Sequence, residues 1–418
     1  MFELNNYPTF PLFLVIFIIF ISLFFLFRRK ISSLIDPLCY HILWSSTLLG
    51  FLFVFSIVKS SYLISFYFFC TLLFHIFLVY YLLPNVNRGG KESRYNPLII
   101  SLVSKPGRVF NLWFFLLLLI FISKWSAIDY FIESPSFSDW FLYRYMDLSG
   151  RDPIERILGT ACPVFFSFYS FVLIFLLKKN RCFVWFFYIV ILCINILAGG
   201  RSSLIHFALS LGLFVYYFSD SFSASFKKKI NLIGGGLAVF SIVLAISVSS
   251  FLVSGVDPYY IILNRIVANA DGLEYYIKYD AFEKIPSGFM TYIYSTFGIF
   301  LTPLIGPIKN YGWQLSELAT GMQYDFAQGA NFTLPLQVMA LPTIVGGVYT
   351  FFISILLVLC RCSRFVSFKF APFSYYLSAS CFTIITDVEY WVFVIASGVI
   401  VYFLIFVANA ILSLRIKG

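Results

Sequence analysis

The sequence predicts an all-α fold, a polytopic membrane bundle of about eleven transmembrane helices within a range of ten to twelve. Of its 418 residues, 61% are hydrophobic and only 11% are charged, whereas soluble domains carry about 25% charged residues. The mean hydropathy is +0.91. Apolar runs of roughly 17–25 residues, long enough to cross a bilayer, recur along the chain. We therefore treat residues 1–418 as a single integral membrane domain.

The first apolar run, Phe10–Phe27, is followed directly by Arg28, Arg29 and Lys30. A cleaved signal peptide has its positive charges before the apolar stretch and a small-residue cleavage site after it. The order here is the reverse. The run is therefore predicted to be an uncleaved span whose N-terminus lies outside.

The other predicted spans follow from the remaining apolar runs. With the first, they cover residues 10–27, 37–58, 62–83, 109–128, 157–177, 182–198, 203–219, 231–253, 336–359, 371–386 and 391–413. The run 291–308 is interrupted by Pro303, Gly306 and Pro307. It is predicted to be a candidate re-entrant segment that dips into the membrane and returns.

The distribution of charge predicts the orientation. With the N-terminus outside and alternating spans, the inside loops hold 19 of the 29 basic residues but only three of the 19 acidic ones, Asp36, Glu92 and Asp220. This is the positive-inside pattern, and it places the C-terminus inside. A full crossing by 291–308 would invert the last three spans. Because the net charge of +10 lies in short clusters between apolar runs, we expect no nucleic-acid partner.

Two outside loops are long, at about 129–156 and 254–335. Binding and catalytic residues concentrate on such connections. The outside face is therefore predicted to carry the chemistry of the protein.

Several motifs are absent from the sequence. It contains no G-x-x-x-x-G-K-[ST] phosphate loop, no H-E-x-x-H and no Cys/His spacing typical of zinc, so neither a cofactor nor a metal ion is predicted. Asp387-Val-Glu389 is interpreted as a solvated turn, and the alternative is a metal site on the outside. His41 and His75 are expected in the core. His206 remains a candidate site residue. It follows Arg201 by little more than one helical turn, so both side chains could face a shared cavity.

The stretch Ala198–Ser203, "AGGRSS", places Arg201 between two predicted spans at the outside face. The two glycines permit a tight connection, and Ser202 or Ser203 can cap the next helix. A helix N-terminus beside a guanidinium is an anion site of the type that binds phosphate. The alternative is an arginine that extends to the lipid headgroups.

Arg265 is the second candidate. If 261–279 is one helix, then Ala268, Asn269, Gly272 and Tyr276 share its face and could line a pocket. Glu274–Lys278 and Asp280–Lys284 have the spacing of surface pairs. Arg144, Arg151 and Arg156 bring further positive charge from the other outside loop.

The chain resembles the bacterial O-antigen polymerases, the Wzy-type oligosaccharide repeat-unit polymerases. The resemblance lies in the "AGGRSS" turn, in "NRIVANADGLEYY" at the start of the large outside loop, in "GPIKNYG" before the late spans, and in the many-span plan.

The resemblance implies a multi-pass protein of the bacterial inner membrane, with a periplasmic N-terminus, a cytoplasmic C-terminus and both long loops periplasmic. It also implies a metal-independent glycosyltransferase that joins undecaprenyl-diphosphate-linked oligosaccharide units in lipopolysaccharide biosynthesis. The partners expected are that lipid-linked oligosaccharide, membrane lipid and a chain-length regulator protein.

Essential periplasmic arginines are implied by the same resemblance, and they correspond here to Arg201 and Arg265, which would bind the charge that develops on the diphosphate. The predicted substrate-binding residues are Arg201, Arg265, Ser202, Asn269, Arg144, Arg151 and Arg156. The candidates for a base are Asp271, Asp257, Asp325 and Glu317.

Three alternatives remain open. An O-antigen ligase would use the same donor, but its family carries a histidine in the large periplasmic loop, and residues 254–335 contain none. A flippase for the lipid-linked unit or a solute transporter would be expected to bury charges within its spans.

Overall fold

The computed structural model describes Leu4 and residues 7–59, 62–86, 105–134, 152–197, 203–252, 258–323, 330–363 and 370–414. These residues are helical throughout their regular structure, and no strand occurs among them. The predicted all-α class is confirmed.

The helices of the first half are α1 (Thr9–Phe27), α2 (Pro37–Lys59), α3 (Tyr62–Leu82), α4 (Pro106–Ser123), α5 (Trp125–Glu133), α6 (Pro153–Phe171), α7 (Arg181–Leu197), α8 (Ser203–Tyr217) and α9 (Ala224–Leu252). The helix α6 continues into a π-helix at Val172–Leu177.

The helices of the second half are α10 (Pro258–Val267), α11 (Asp271–Lys278), α12 (Ala281–Lys284), α13 (Phe289–Ile305), α14 (Tyr311–Thr320), α15 (Leu334–Ala340), α16 (Thr343–Arg361), α17 (Ala371–Ser380), α18 (Thr383–Thr386) and α19 (Val388–Leu414). A 3₁₀ turn at Ala268–Ala270 joins α10 to α11.

Six of these helices are long and apolar enough to cross a membrane: α1, α2, α3, α4, α6 with its π-helical extension, and α19. Shorter apolar helices occur at Arg181–Leu197, Ser203–Tyr217, Phe289–Ile305 and Val345–Arg361. This is the architecture of a helical membrane protein. The total of eleven spans and their orientation stay predictions.

Two clusters of buried apolar side chains form the core. The first joins α1, α2 and α3 to α16 and to the short helices between α9 and α16. The second joins α4, α6, α7, α8, α17 and α19. Large apolar side chains also face outward, for example Leu63 and Phe10, as expected for helices that contact lipid tails.

Hydrogen bonds sort the helix ends into two groups. At one end, which we call the Arg361 end, the N–H of Val86 donates to the carbonyl of Arg29 at 2.9 Å, and Arg108 contacts Asn409. At the other, the Glu274 end, Ser126 donates to Glu155 and Gln337 donates to the carbonyl of Ile384. These contacts bring residues in or near loops predicted inside together at the Arg361 end, and residues in or near loops predicted outside together at the Glu274 end.

Asp36 and Arg361 depart from the sequence expectation. The positive-inside pattern counts both among the charges of the inside loops, Arg361 being one of the 19 basic residues there, but both side chains are buried, with exposed fractions of 0% and 1%. The Arg361 guanidinium donates to Asp36 and lies 3.7 Å from the ring centre of Tyr216. Asp36 also accepts from Ser32 and from the N–H of Leu38 at 3.0 Å. These partners offset the cost of removing two charges from water.

Close backbone contacts surround this ion pair. A Cβ atom added at Gly212 of α8 would lie 1.9 Å from the carbonyl oxygen of Ile35, and one added at Gly234 of α9 would lie 2.1 Å from the Ile35 side chain. The connection between α1 and α2 therefore passes between α8 and α9 where only glycine fits.

We expect Gly212→Ala to destabilise the protein, because the added methyl group clashes with backbone rather than with a flexible side chain. The cost should be about 1–3 kcal/mol, seen as a lower thermal midpoint in detergent. The thiols of Cys162 and Cys381, which are buried in the fold, become reactive on unfolding and report the midpoint. Gly235→Ala is the matched control, since nothing lies within 4 Å of its added Cβ. Equal midpoints for the two variants would contradict the close approach.

We expect Asp36→Ala to cost about 3–5 kcal/mol, because it leaves the Arg361 guanidinium buried without its carboxylate. The double variant Asp36→Asn/Arg361→Met should recover part of this loss, since it leaves no buried charge. The same thiol assay measures both variants. A double variant no more stable than Asp36→Ala would show that the ion pair does not determine the loss.

Candidate functional site

The chain between α9 and α16 builds a cap over the Glu274 end. We define the cap as residues 258–323 and 330–340. It packs on the ends of α2, α3, α16 and α19. Its helices are short because the backbone turns sharply between them, with positive φ angles at Asp280, Gly306 and Gly321. The cap is the largest described feature on the face that the sequence predicts to be functional.

Helix α13 holds the interrupted apolar run. It begins where the N–H of Gly288 donates to the carbonyl of Ala340 at 2.8 Å. It continues through Pro303, and after it Asn310 donates to Glu389 at the start of α19. The chain thus enters and leaves this helix at the Glu274 end. Much of its surface is apolar and exposed, 78% at Leu304.

Two acidic residues lie on α11, next to the α10–α11 junction. Glu274 is buried, with 2% exposure, and accepts a hydrogen bond of 2.7 Å from the hydroxyl of Tyr7. Burial raises the pKa of Tyr7, and the Glu274 charge raises it further, so the phenol stays protonated and donates. This contact fixes the cap to the segment that precedes α1.

Asp271 is partly buried at the first position of α11. Burial raises the pKa of its carboxyl to about 7, although the N–H groups of Gly272 and Asn331 donate to it and favour the charged form. A carboxyl that titrates near neutral pH can accept a proton from a reacting hydroxyl. Asp271 therefore has the protonation behaviour of a general base.

Asn310 connects α14 to α19. Its side-chain oxygen accepts from the N–H of Trp313 at 2.7 Å and caps α14, while its side-chain amide donates to Glu389. Beside it, Lys309 forms an ion pair of 2.7 Å with Glu317. These contacts hold the polar residues after α13 against the end of α19.

A buried chain of hydrogen bonds joins the cap to the bundle. The side-chain amide of Gln337 donates to the carbonyls of Phe332 and Ile384 at 2.7 and 2.9 Å. Its oxygen accepts from Tyr349, whose hydroxyl in turn accepts from Tyr292. The chain joins α13, α15, α16 and the α18 segment, so the cap is fixed to the bundle by directional contacts.

Several predicted site residues lie outside the described residues: Arg201, Ser202, Arg144, Arg151, Asp257 and Asp325. Arg265 lies on α10, but its side chain is outside the described part. Asn269 lies partly buried in the 3₁₀ turn between Arg265 and Asp271. The described backbone thus places Arg265, Asn269 and Asp271 within two successive turns of the cap.

The structure describes the side chains of two further predicted site residues, Arg156 and Glu317. Arg156 is exposed in the first turn of α6, with its guanidinium 5.6 Å from the ring centre of Phe393, one helical turn after Glu389. Glu317 is held by Lys309 and also accepts from Trp313 at 3.0 Å. Because its carboxylate is already paired with a cation, Glu317 is a poorer candidate for the base than Asp271.

Four expectations for the cap are wrong. The helix 261–279 is interrupted at Ala268–Ala270. Gly272 does not line a pocket, since an added Cβ would lie 2.8 Å from the carbonyl oxygen of Asn331. Tyr276 is 2% exposed and packs against Phe68. Glu274 is a buried residue and not part of a surface pair.

Two other pairs also differ from expectation. Lys284 donates to the carbonyl of Tyr279 at 2.8 Å and forms no ion pair with Asp280 among the described residues. Asp387 and Glu389 do not form a solvated turn: both are partly buried, and Asp387 accepts from the N–H of Tyr390 at 3.1 Å.

Two of the three histidines are buried and the third is exposed. His41 and His75 are buried in the core as expected: His75 is 2.8 Å from the Ser354 hydroxyl, and His41 stacks on Phe382. His206 is exposed on α8.

Sequence reasoning missed Tyr7, Asn310 and Glu389 as parts of the site. A sequence signal existed for Asn310, because an Asn before a helical segment is typical of an N-cap. No local pattern indicates a partner for Tyr7 or Glu389.

The described residues contain no group of three or more His, Cys, Asp or Glu side chains that could hold a metal ion. What the cap offers chemically is a carboxyl with a raised pKa, next to hydrogen-bonding side chains and the α10 backbone that carries Arg265. The chain matches no protein-family model, no curated protein and no solved structure.

Proposed function

We propose that the protein is an O-antigen polymerase, a glycosyltransferase of the bacterial inner membrane that joins oligosaccharide units carried on undecaprenyl diphosphate. The observation that carries the proposal is Asp271, a partly buried carboxyl with a pKa of about 7 in a cap at one end of a membrane bundle. The resemblance of the "AGGRSS" and "NRIVANADGLEYY" stretches to the Wzy-type polymerases supports it, since Asp271 lies in the second of these.

In the proposed reaction, a hydroxyl of the acceptor sugar attacks C1 of the sugar attached to the donor diphosphate. The bond from C1 to the diphosphate oxygen breaks, and the lipid diphosphate leaves with the electron pair. The Asp271 carboxylate takes the proton of the attacking hydroxyl. The proposed transfer uses no metal ion and no cofactor, because the donor brings its own leaving group.

The roles of the arginines belong to the same proposal. Arg201 and Arg265 bind the negative charge that develops on the diphosphate as the bond breaks. Asn269 lies between Arg265 and Asp271, and in this mechanism it orients the sugar between the leaving group and the base. Arg144, Arg151 and Arg156 bind the remaining negative charge of the substrate, and Ser202 supplies a hydroxyl beside Arg201.

Deletion of the gene in its host tests the proposal. We expect lipopolysaccharide core that carries a single repeat unit and no longer chains, because units still flip and attach but do not extend. Plasmid-borne wild type should restore the ladder on a gel, whereas Arg201→Ala and Arg265→Ala should not, since loss of one charge contact costs about 100-fold in rate. Arg265→Lys should also be poor if the diphosphate is bound by two parallel hydrogen bonds.

Lys284→Ala is the control for these variants, because it removes an exposed cation from the same cap. It should restore the ladder at an equal membrane protein level. Bare core in the deletion strain would instead indicate a ligase or a flippase and would overturn the proposal. Normal ladders from both arginine variants would rule out their role in binding the diphosphate.

The pH dependence of extension tests Asp271. With purified protein and lipid-linked units, the rate should rise with pH through about 7, because the base acts only when its carboxyl is ionised, above its pKa. Asp271→Asn should lose most of the activity, while Glu317→Gln should keep the rate and the pH profile. An Asp271→Asn variant with the wild-type rate and profile would exclude Asp271 as the base.

A further inference from the structure

A cavity of about 670 Å³ opens at the Arg361 end, far along the chain from the cap. Its wall combines the end of the π-helix with the starts of α7 and α9. Lys178 and Arg181 line it, together with Ser223 and the aromatic rings of Phe175, Trp185 and Phe226. Among the described side chains that line it, none is a carboxylate.

The backbone at the cavity adopts a conformation that is costly for these residues. The π-helix ends at Leu177; Lys178, which follows it, has a φ of 55°, and Asn180 has a φ of 50°. Left-handed backbone is uncommon outside glycine, and a π-helix is rare and frequent at functional sites. The strained turn places the Lys178 and Arg181 side chains together on the same cavity.

Within the described part of the chain, neither cation has a polar partner. The side chains of Lys178 and Arg181 are exposed and make no hydrogen bond or ion pair with any described residue. Positive charges on one cavity repel each other, so the placement of both cations there favours the binding of an anion.

Two helices also begin at this cavity. Helix α7 starts at Arg181, and α9 starts directly after Ser223, whose hydroxyl accepts from the N–H of Phe226 at 3.3 Å. A helix N-terminus carries a partial positive charge and free N–H groups that bind phosphate. Both helix ends therefore add to the field of Lys178 and Arg181.

The rest of the wall is aromatic. Phe175 contacts Trp185 and Phe226, with ring centres 6.3 and 5.4 Å apart. Rings of this kind suit an acyl chain or a glycerol backbone and offer little to a free anion. The cavity lies at the end of a membrane bundle and combines two cations with an aromatic wall. This matches a phospholipid, whose headgroup is charged and whose tails are apolar.

We propose that this cavity is a binding site for an anionic phospholipid of the bilayer, with its phosphate between Lys178 and Arg181 and an acyl chain along Phe175, Trp185 and Phe226. The site is independent of the proposed polymerase activity, because it lies at the opposite end of the bundle from the cap.

Lipid retention by the purified full-length protein tests the proposal. After delipidation in detergent, the protein is titrated with phosphatidylglycerol or with phosphatidylcholine of the same acyl chains, and bound lipid is counted by native mass spectrometry. We expect phosphatidylglycerol to be retained in preference. Lys178→Gln/Arg181→Gln should weaken its binding about tenfold or more, because each cation contributes to anionic-lipid affinity.

The matched control is Arg28→Gln/Arg29→Gln, which removes two exposed positive charges at the same end but away from the cavity. It should retain phosphatidylglycerol as the wild type does. The thiol-reactivity midpoint shows whether each variant is folded. If the double variant is not folded, Arg181→Gln and Arg28→Gln provide the same comparison.

The proposal would be overturned by equal retention of phosphatidylcholine or by wild-type retention in the cavity variant. An equal loss in the control would also overturn it, because it would mean that general surface charge binds the lipid. Displacement of the lipid by millimolar inorganic phosphate would also overturn it and would identify a site for free anions.

Discussion

The ion pair between Asp36 and Arg361 is the interaction on which the arrangement of the bundle depends. A buried guanidinium in an apolar bundle is tolerated only when a carboxylate and further hydrogen bonds accompany it. Asp36 directly precedes α2, whose apolar side chains belong to the first cluster, and Arg361 ends α16. Tyr216 of α8 brings the second cluster against the guanidinium. The pair therefore fixes how the two halves of the core meet.

The backbone around the pair adds a steric constraint to the electrostatic one. Ile35, next to Asp36 in the chain, touches α8 at Gly212 and α9 at Gly234. A carboxylate held in place by Ser32, Leu38 and Arg361 leaves the connection little room to shift. Close packing and charge pairing thus select the same position for this segment.

The Glu274 end is held in a different way. There the contacts are hydrogen bonds of tyrosine, asparagine and glutamine side chains, such as Tyr7 to Glu274 and Gln337 to Ile384. Such contacts are directional, so they fix the position of the cap on the bundle. The two ends consequently differ in chemistry: carboxyls with hydrogen-bonding side chains lie at one, and at the other two exposed cations line a cavity. We propose that the first handles a sugar donor and the second a bilayer lipid.

The sequence by itself determined the helical membrane class and the places of most apolar helices, because span length and apolar composition are local properties of the chain. It also included Asp271 among four candidate bases, because all four fall in the large loop predicted outside. Only the tertiary structure decided that Glu274 is buried under Tyr7, 267 residues away, and that Asp36 meets Arg361, 325 residues away. Burial and partners at such separations are set by how helices pack, and no local pattern of residue types encodes them. The preference for Asp271 over Glu317 has the same origin, because a carboxyl's pKa depends on the solvent and charges around it in the folded chain.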